Sequence, residues 1–126
     1  MTGLTLDTGA LLALDHPPKA PIMQARLEEV RRRGGSICIP VSALAQAWRG
    51  PTQVRLARLI KSSDIDVAAL TVGVARTIGV VCGRTGHHDI VDVHVVLCAH
   101  ARHHAIVTSD IDDLHLIDPA LPLIRV

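Results

Sequence analysis

The 126 residues carry thirteen Lys and Arg against twelve Asp and Glu, a formal charge of +1, and 48% of them are hydrophobic. Only Trp48 is aromatic, so the core must be built from Val, Ile, Leu and Ala. This excludes an aromatic-girdled barrel and removes the stacking platforms of single-strand nucleic-acid binders and RNA-recognition sheets. The apolar content excludes a disordered chain, and the length suits one domain over residues 1–126.

In chain order, residues 4–6 form a short β-compatible run that ends in Asp7-Thr8-Gly9, and 10–14 read as helix until His16-Pro17-Pro18 breaks it. Over 20–33, Ile22, Met23, Leu27 and Val30 recur at helical spacing, and Gly34-Gly35 stops the helix. A second strand at 37–39 is closed by Pro40, and a helix starting near Ser42 carries 43–48. Pro51 suits the first turn of a helix over 52–61. A third strand at 65–68 precedes a helix at 72–82 ending near Gly83. After the turn at 85–88 comes a helix from about 89 to 103, a fourth strand at 105–107, a helical turn at 112–116 and a last strand at 123–126. Short apolar strands alternating with helices predict an α/β fold with a mainly parallel sheet and helices on both faces.

Cys38, Cys82 and Cys98 lie in apolar runs without CxxC spacing, which reads as free thiols in a reducing cytoplasm. Asp7 interrupts the early apolar run with no basic segment ahead of it, unlike a secretory leader. No stretch approaches the ~20 apolar residues of a membrane span. A cytoplasmic chain with no membrane partner is expected.

Charge is segregated. Residues 26–61 hold eight basic side chains against Glu28 and Glu29, and residues 85–118 hold six aspartates against Arg102. Asp7 ends the first strand and Asp110 follows the fourth, so in a parallel sheet both emerge at the C-terminal edge, where open α/β sheets bind ligands. Asp89 and Asp92 share the first turn of one helix. The helix dipole alone accounts for an acid at Asp89, so a capping and a ligand role stand side by side there. Asp92 lies among Ile90, Val91, Val93, Val95 and Val96, where a carboxylate is expensive without a cation or hydrogen bonds. Converging carboxylates suit a hard divalent ion, Mg²⁺ or Mn²⁺. His87, His88, His94, His100, His103 and His104 crowd one region without a zinc spacing signature and read as surface residues; His88, beside Asp89, is the one kept as a substrate contact.

The run Leu4-Thr5-Leu6-Asp7-Thr8-Gly9-Ala10-Leu11, with Asp89-Ile90-Val91-Asp92-Val93-His94 and Val107-Thr108-Ser109-Asp110-Ile111-Asp112-Asp113-Leu114, resembles the PIN-domain family, specifically the VapC-type toxins of bacterial toxin–antitoxin modules. The likeness extends over nearly the whole chain and includes the stretch from Pro40 to Gly50. It implies a Rossmann-like three-layer sandwich with a sheet of four to five strands, often in the order 3-2-1-4-5. It also implies a Mg²⁺- or Mn²⁺-dependent endoribonuclease, a cognate VapB-type antitoxin lying across the active-site groove, and a homodimer.

Carried over by position, Asp7, Asp92 and Asp110 would be catalytic metal ligands, with Asp89 and Asp113 as accessory acids. Thr8, Thr108 and Ser109 supply hydroxyls that could orient carboxylates or water. Where the family has a Glu, this chain has Gln46: an amide oxygen still ligates, but one negative charge is lost and weaker or single-metal binding is expected. Arg49, Arg55 and Arg58 would hold RNA phosphates, whereas Arg31, Arg32 and Arg33 read as a solvated helix end. The alternative function is a catalytically weak or inactive PIN-like module that acts mainly through protein–protein complexes. An aspartyl-phosphate receiver fits worse, because no second Asp follows two residues after Asp7 and no Lys follows a late strand.

Overall fold

A computed structural model describes residues 2–126. In chain order the elements are β1 (Gly3–Leu6), α1 (Thr8–Ala13), α2 (Ala20–Arg32), β2 (Ser36–Pro40), α3 (Val41–Ala47), α4 (Val54–Ile60), β3 (Ile65–Ala68), α5 (Val72–Thr85), α6 (Ile90–Arg102), β4 (Ala105–Thr108), α7 (Ile111–Ile117) and β5 (Leu123–Arg125). The strands form one all-parallel sheet in the order β3-β2-β1-β4-β5. The fold is α/β, with helices covering a central parallel sheet, and the strand order reverses at β1. Among the described residues no helix is long and apolar enough to cross a membrane.

The alternation of side chains along a strand divides the core between two faces. Leu4, Leu6, Ile37 and Ile39 are buried, and Leu4 meets Ala25 and Val30 of α2 around one shallow cavity. The intervening Thr5, Cys38 and Asp66 are in register across β1, β2 and β3 and face α6, which packs along β1, β2 and β4. β1, β2 and β4 are almost wholly buried, as parallel strands covered on both sides must be. The edge strand β3 exposes Asp66 and Val67.

Local chemistry moves several element ends from where the sequence alone places them. Asp7 caps α1, so that helix begins at Thr8. Pro51 lies in a turn ahead of α4 rather than in its first coil: Gln53 ties that turn down by accepting from the Arg49 and Gly50 amides and donating to the Ala47 carbonyl. α5 runs through Gly83 to Thr85, because the residue that adopts the left-handed conformation closing the helix is Gly86, at φ 71°. Arg31 is paired with Asp64 at 2.7 Å, and Arg32 and Arg33 both bind Glu29, so this helix end is a set of ion pairs.

The free amides opening α4 are satisfied from another element. Asp15, just beyond α1, accepts from Arg55 N at 2.9 Å and Leu56 N at 3.1 Å. Asp15→Ala should therefore lower stability by about 1 kcal/mol, the ordinary worth of a capping carboxylate. Asp15→Asn should recover part of the loss in equilibrium urea unfolding.

Candidate functional site

β1 lies between β2 and β4, so the residues that follow β1 and β4 emerge side by side. The Asp7 amide donates to the Val107 carbonyl at 3.2 Å, continuing the pairing one step past β1. The Asp7 backbone is extended there, and its Oδ1 accepts from Ala10 N at 2.9 Å as the cap of α1. This carboxyl is only 4% exposed. Burial pushes its pKa up and the Asp110 charge adds to the effect, while hydrogen bonds from the Thr108 hydroxyl and the Ala10 and Ser109 amides oppose it. Thr108, fully buried, also accepts from Asp110 N at 2.8 Å. One hydroxyl thus fixes both the Asp7 carboxylate and the backbone that carries Asp110.

Gly9 is required by the same crowding: a Cβ there would stand 2.2 Å from Ser109 Oγ and 3.4 Å from Asp7 Oδ1. The bare glycine lets the Ser109 side chain pack where a Cβ would stand, beside the Asp7 carboxylate.

Asp92, in the first turn of α6, is brought to this edge from the other face. Its pKa is pushed up to about 6 by burial first, then by the charges of Asp89 and Asp110, against hydrogen bonding from His87. Asp89 is the cap of α6, its Oδ1 accepting from Asp92 N at 3.1 Å. The capping role of Asp89 is therefore realised, and its charge still reaches Asp92. Gln46 of α3 approaches through Thr8, whose hydroxyl donates to Gln46 Oε1 at 2.6 Å.

Not every expected residue joins this group. His87, not His88, contacts the acids: His87 Nε2 stands 3.2 Å from Asp92 Oδ2, and His88 is exposed. Both follow the same turn, and only the path of the loop into α6 distinguishes them. Asp113 is exposed in the first turn of α7 with no hydrogen bond or ion pair among the described residues. Arg55 and Arg58 do not line the acid edge; with Arg31, Gln24 and Ser62 they surround a separate pocket of about 120 Å³ between α2 and α4. The capping of α4 by Asp15 holds them there. Arg49 is exposed, its guanidinium donating to the Trp48 carbonyl. A groove of about 530 Å³ does adjoin the acids, running from Gly9 and Ser109 to His16, Lys19 and Gln53. Neither His16 nor Lys19 stood out in the sequence, because each looks like a residue of the Pro-containing break.

Two histidines expected at the surface are buried. His94 lies under α3 with Ser42 Oγ 2.6 Å from its Nδ1. His104 bridges Thr5 and Ser36 at 3.0 and 2.8 Å. Both are held by hydroxyls that only tertiary packing brings near.

Asp7 and Asp92 each feel the charge of Asp110, and carboxylate oxygens of this kind are the donors a hard divalent cation takes. Among the described residues, however, no three His, Cys, Asp or Glu side chains are gathered into a ligand cluster. The acids share an edge without forming a closed cage. No protein-family model matches the chain, and no curated protein matches it significantly.

The raised pKa of Asp92 has a consequence for stability. With the carboxyl at 3.8 when unfolded and about 6 when folded, the native state holds the extra proton between these values. Stability contributed by this group is present at low pH and lost as pH rises through that window. In chelator, Asp92→Asn should raise the melting temperature at pH 7 and flatten its fall between pH 4 and pH 6. An unchanged pH profile would exclude Asp92 as the group responsible.

Proposed function

We propose that the protein is a PIN-domain-type, metal-dependent endoribonuclease of the VapC-like toxin class, hydrolysing RNA phosphodiester bonds at the edge formed by Asp7, Asp92 and Asp110. One observation carries this reading: two buried carboxylates, Asp7 and Asp92, are each raised in pKa and each repelled by Asp110, which follows β4 beside the point where the strand order reverses. A bound Mg²⁺ or Mn²⁺ would relieve that repulsion, stabilise charge developing on the phosphate and activate water for in-line attack.

The chain's own groups have distinct tasks in this reading. Asp7, Asp92 and Asp110 hold the ion, with Gln46 and Asp89 assisting. Thr108 opposes the upward pull of burial on Asp7, Thr8 orients Gln46, and His87 holds Asp92. Lys19 and His16, along the adjoining groove, replace Arg55 and Arg58 as the groups placed to meet RNA phosphates. With no aromatic stacking, base preference rests on polar contacts. The same reading carries a VapB-type antitoxin as partner, a homodimer and a cytoplasmic setting; exposed Leu12 and Ile90, on the helices that bring in Asp7 and Asp92, offer apolar contacts to an antitoxin segment.

A second reading is favoured by Gln46. Its Oε1 is engaged by Thr8, and an amide stands where the resembled family has an acid, which suits a catalytically weak or inactive PIN-like module acting through complex formation.

RNA cleavage by the purified chain in Mg²⁺ and in Mn²⁺ separates the two. The enzyme reading expects products with 5′-phosphate and 3′-hydroxyl ends and a loss of more than about 100-fold in Asp7→Asn, beyond the usual effect of outer-shell partners. Cleavage that appears only in Gln46→Glu selects the second reading. Cyclic 2′,3′-phosphate ends, or undiminished cleavage by Asp7→Asn, would overturn the proposed mechanism.

A further inference from the structure

The α6 face of the sheet holds a second cluster that the proposed hydrolysis does not use. Cys38 of β2 and Cys98 of α6 pack together with Ala68 as a small buried group apart from the main core. His94, one turn before Cys98, is 1% exposed; Ser42 engages its Nδ1, and its Nε2 is buried without a hydrogen-bond partner. His94 and Cys98 both line a cavity of about 710 Å³, walled further by Val67 of β3, Val74 of α5 and Leu97 of α6. Arg102, two turns beyond His94, reaches across to Asp66 at 2.8 Å and closes one side.

This arrangement has the parts of an activated thiol: a sulfur nucleophile, an imidazole beside it, and a hydroxyl that fixes the ring. Hydrogen bonding with Cys38 lowers the Cys98 pKa most, and His94 and Arg102 add to it against the effect of burial. The same bond, with burial, pushes Cys38 up. The two thiols are thus unequal, one disposed to ionise and the other to stay protonated beside it. The unpartnered His94 Nε2 can hydrogen-bond an oxygen that enters the cavity.

We propose that Cys98 is a hydroperoxide-reactive thiol with Cys38 as its resolving partner, and that the cavity between α5, α6 and β3 is where the peroxide reaches it. The Cys98 thiolate attacks one peroxide oxygen and the O–O bond breaks. The departing oxygen takes a proton and leaves as water, or as alcohol from an alkyl hydroperoxide, and Cys98 becomes a sulfenic acid. The Cys38 sulfur then attacks the Cys98 sulfur; the S–O bond breaks, and hydroxide leaves with the Cys38 proton as water. Two thiols are oxidised to one disulfide, and one peroxide is reduced by two electrons. Cys82 of α5, more accessible than either, provides an internal comparison.

The test is independent of RNA cleavage. The reduced full chain is treated with near-stoichiometric hydrogen peroxide, quenched with a maleimide and mapped by mass spectrometry. The expected product is a Cys38–Cys98 linked peptide, two hydrogens lighter than its reduced parts, with Cys82 still free to alkylate. In Cys38→Ser, dimedone should label Cys98 instead, and His94→Asn should slow Cys98 oxidation by at least roughly tenfold. Preferential oxidation of Cys82, or Cys98 and Cys38 both inert until the chain is unfolded, would overturn the proposal. So would Cys98 oxidation in the unaltered chain without the Cys38 link, a result that stands even if a variant fails to fold.

Discussion

The contact between the ends of β1 and β4 sets the position of Asp7 and Asp110 at the sheet edge. One hydrogen bond past β1, from Asp7 N to the Val107 carbonyl, aligns the strands so that Asp7 and Asp110 leave the sheet together. On the far side of β1 the chain continues to β2 and β3, and beyond β4 it continues to β5. The connections diverge from this line, the place at which open α/β sheets take their ligands. A carboxylate buried here is costly, and hydrogen bonding from Thr108, Ala10 and Ser109 opposes that cost without cancelling it. That arrangement opposes the folding preference of a hydrophobic core, as sites built for charge commonly do.

Helix α6 carries the second constraint. His94, Cys98 and Arg102 recur every fourth residue, so they form one stripe that faces the sheet. Each meets a partner from a different element: Ser42 at the start of α3, Cys38 on β2 and Asp66 on β3. The stripe is neither a hydrophobic ridge nor a solvated face. It joins a thiol pair to an ion pair, while the N-terminal turn of the same helix carries Asp92. One rigid element therefore positions two chemically separate groups.

Much of this was legible in the chain itself. Strands read as short apolar runs because parallel strands are buried on both sides, and the acids directly after 4–6 and 105–107 had to emerge at one edge. Asp89 could be read as a cap from its place before an apolar helix. The thiols and histidines were less legible. Cys38 and Cys98 read correctly as free and buried, but their contact joins residues far apart in sequence. His94 and His104 looked like surface residues because histidine is amphipathic and their hydroxyl partners, Ser42, Thr5 and Ser36, lie on other elements.

The sequence by itself determined the alternation of strands and helices, the acidic ends of β1 and β4, and the absence of aromatic stacking surfaces. These follow from local periodicity and composition, which act over a few residues. The tertiary structure alone decided that His87 rather than His88 meets Asp92, that Arg55 and Arg58 turn to a pocket with Arg31, and that Cys38 lies against Cys98. Those outcomes depend on how loops enter helices and how a helix settles on a sheet. Such distances are fixed by packing between remote segments, and residue order carries no direct trace of them.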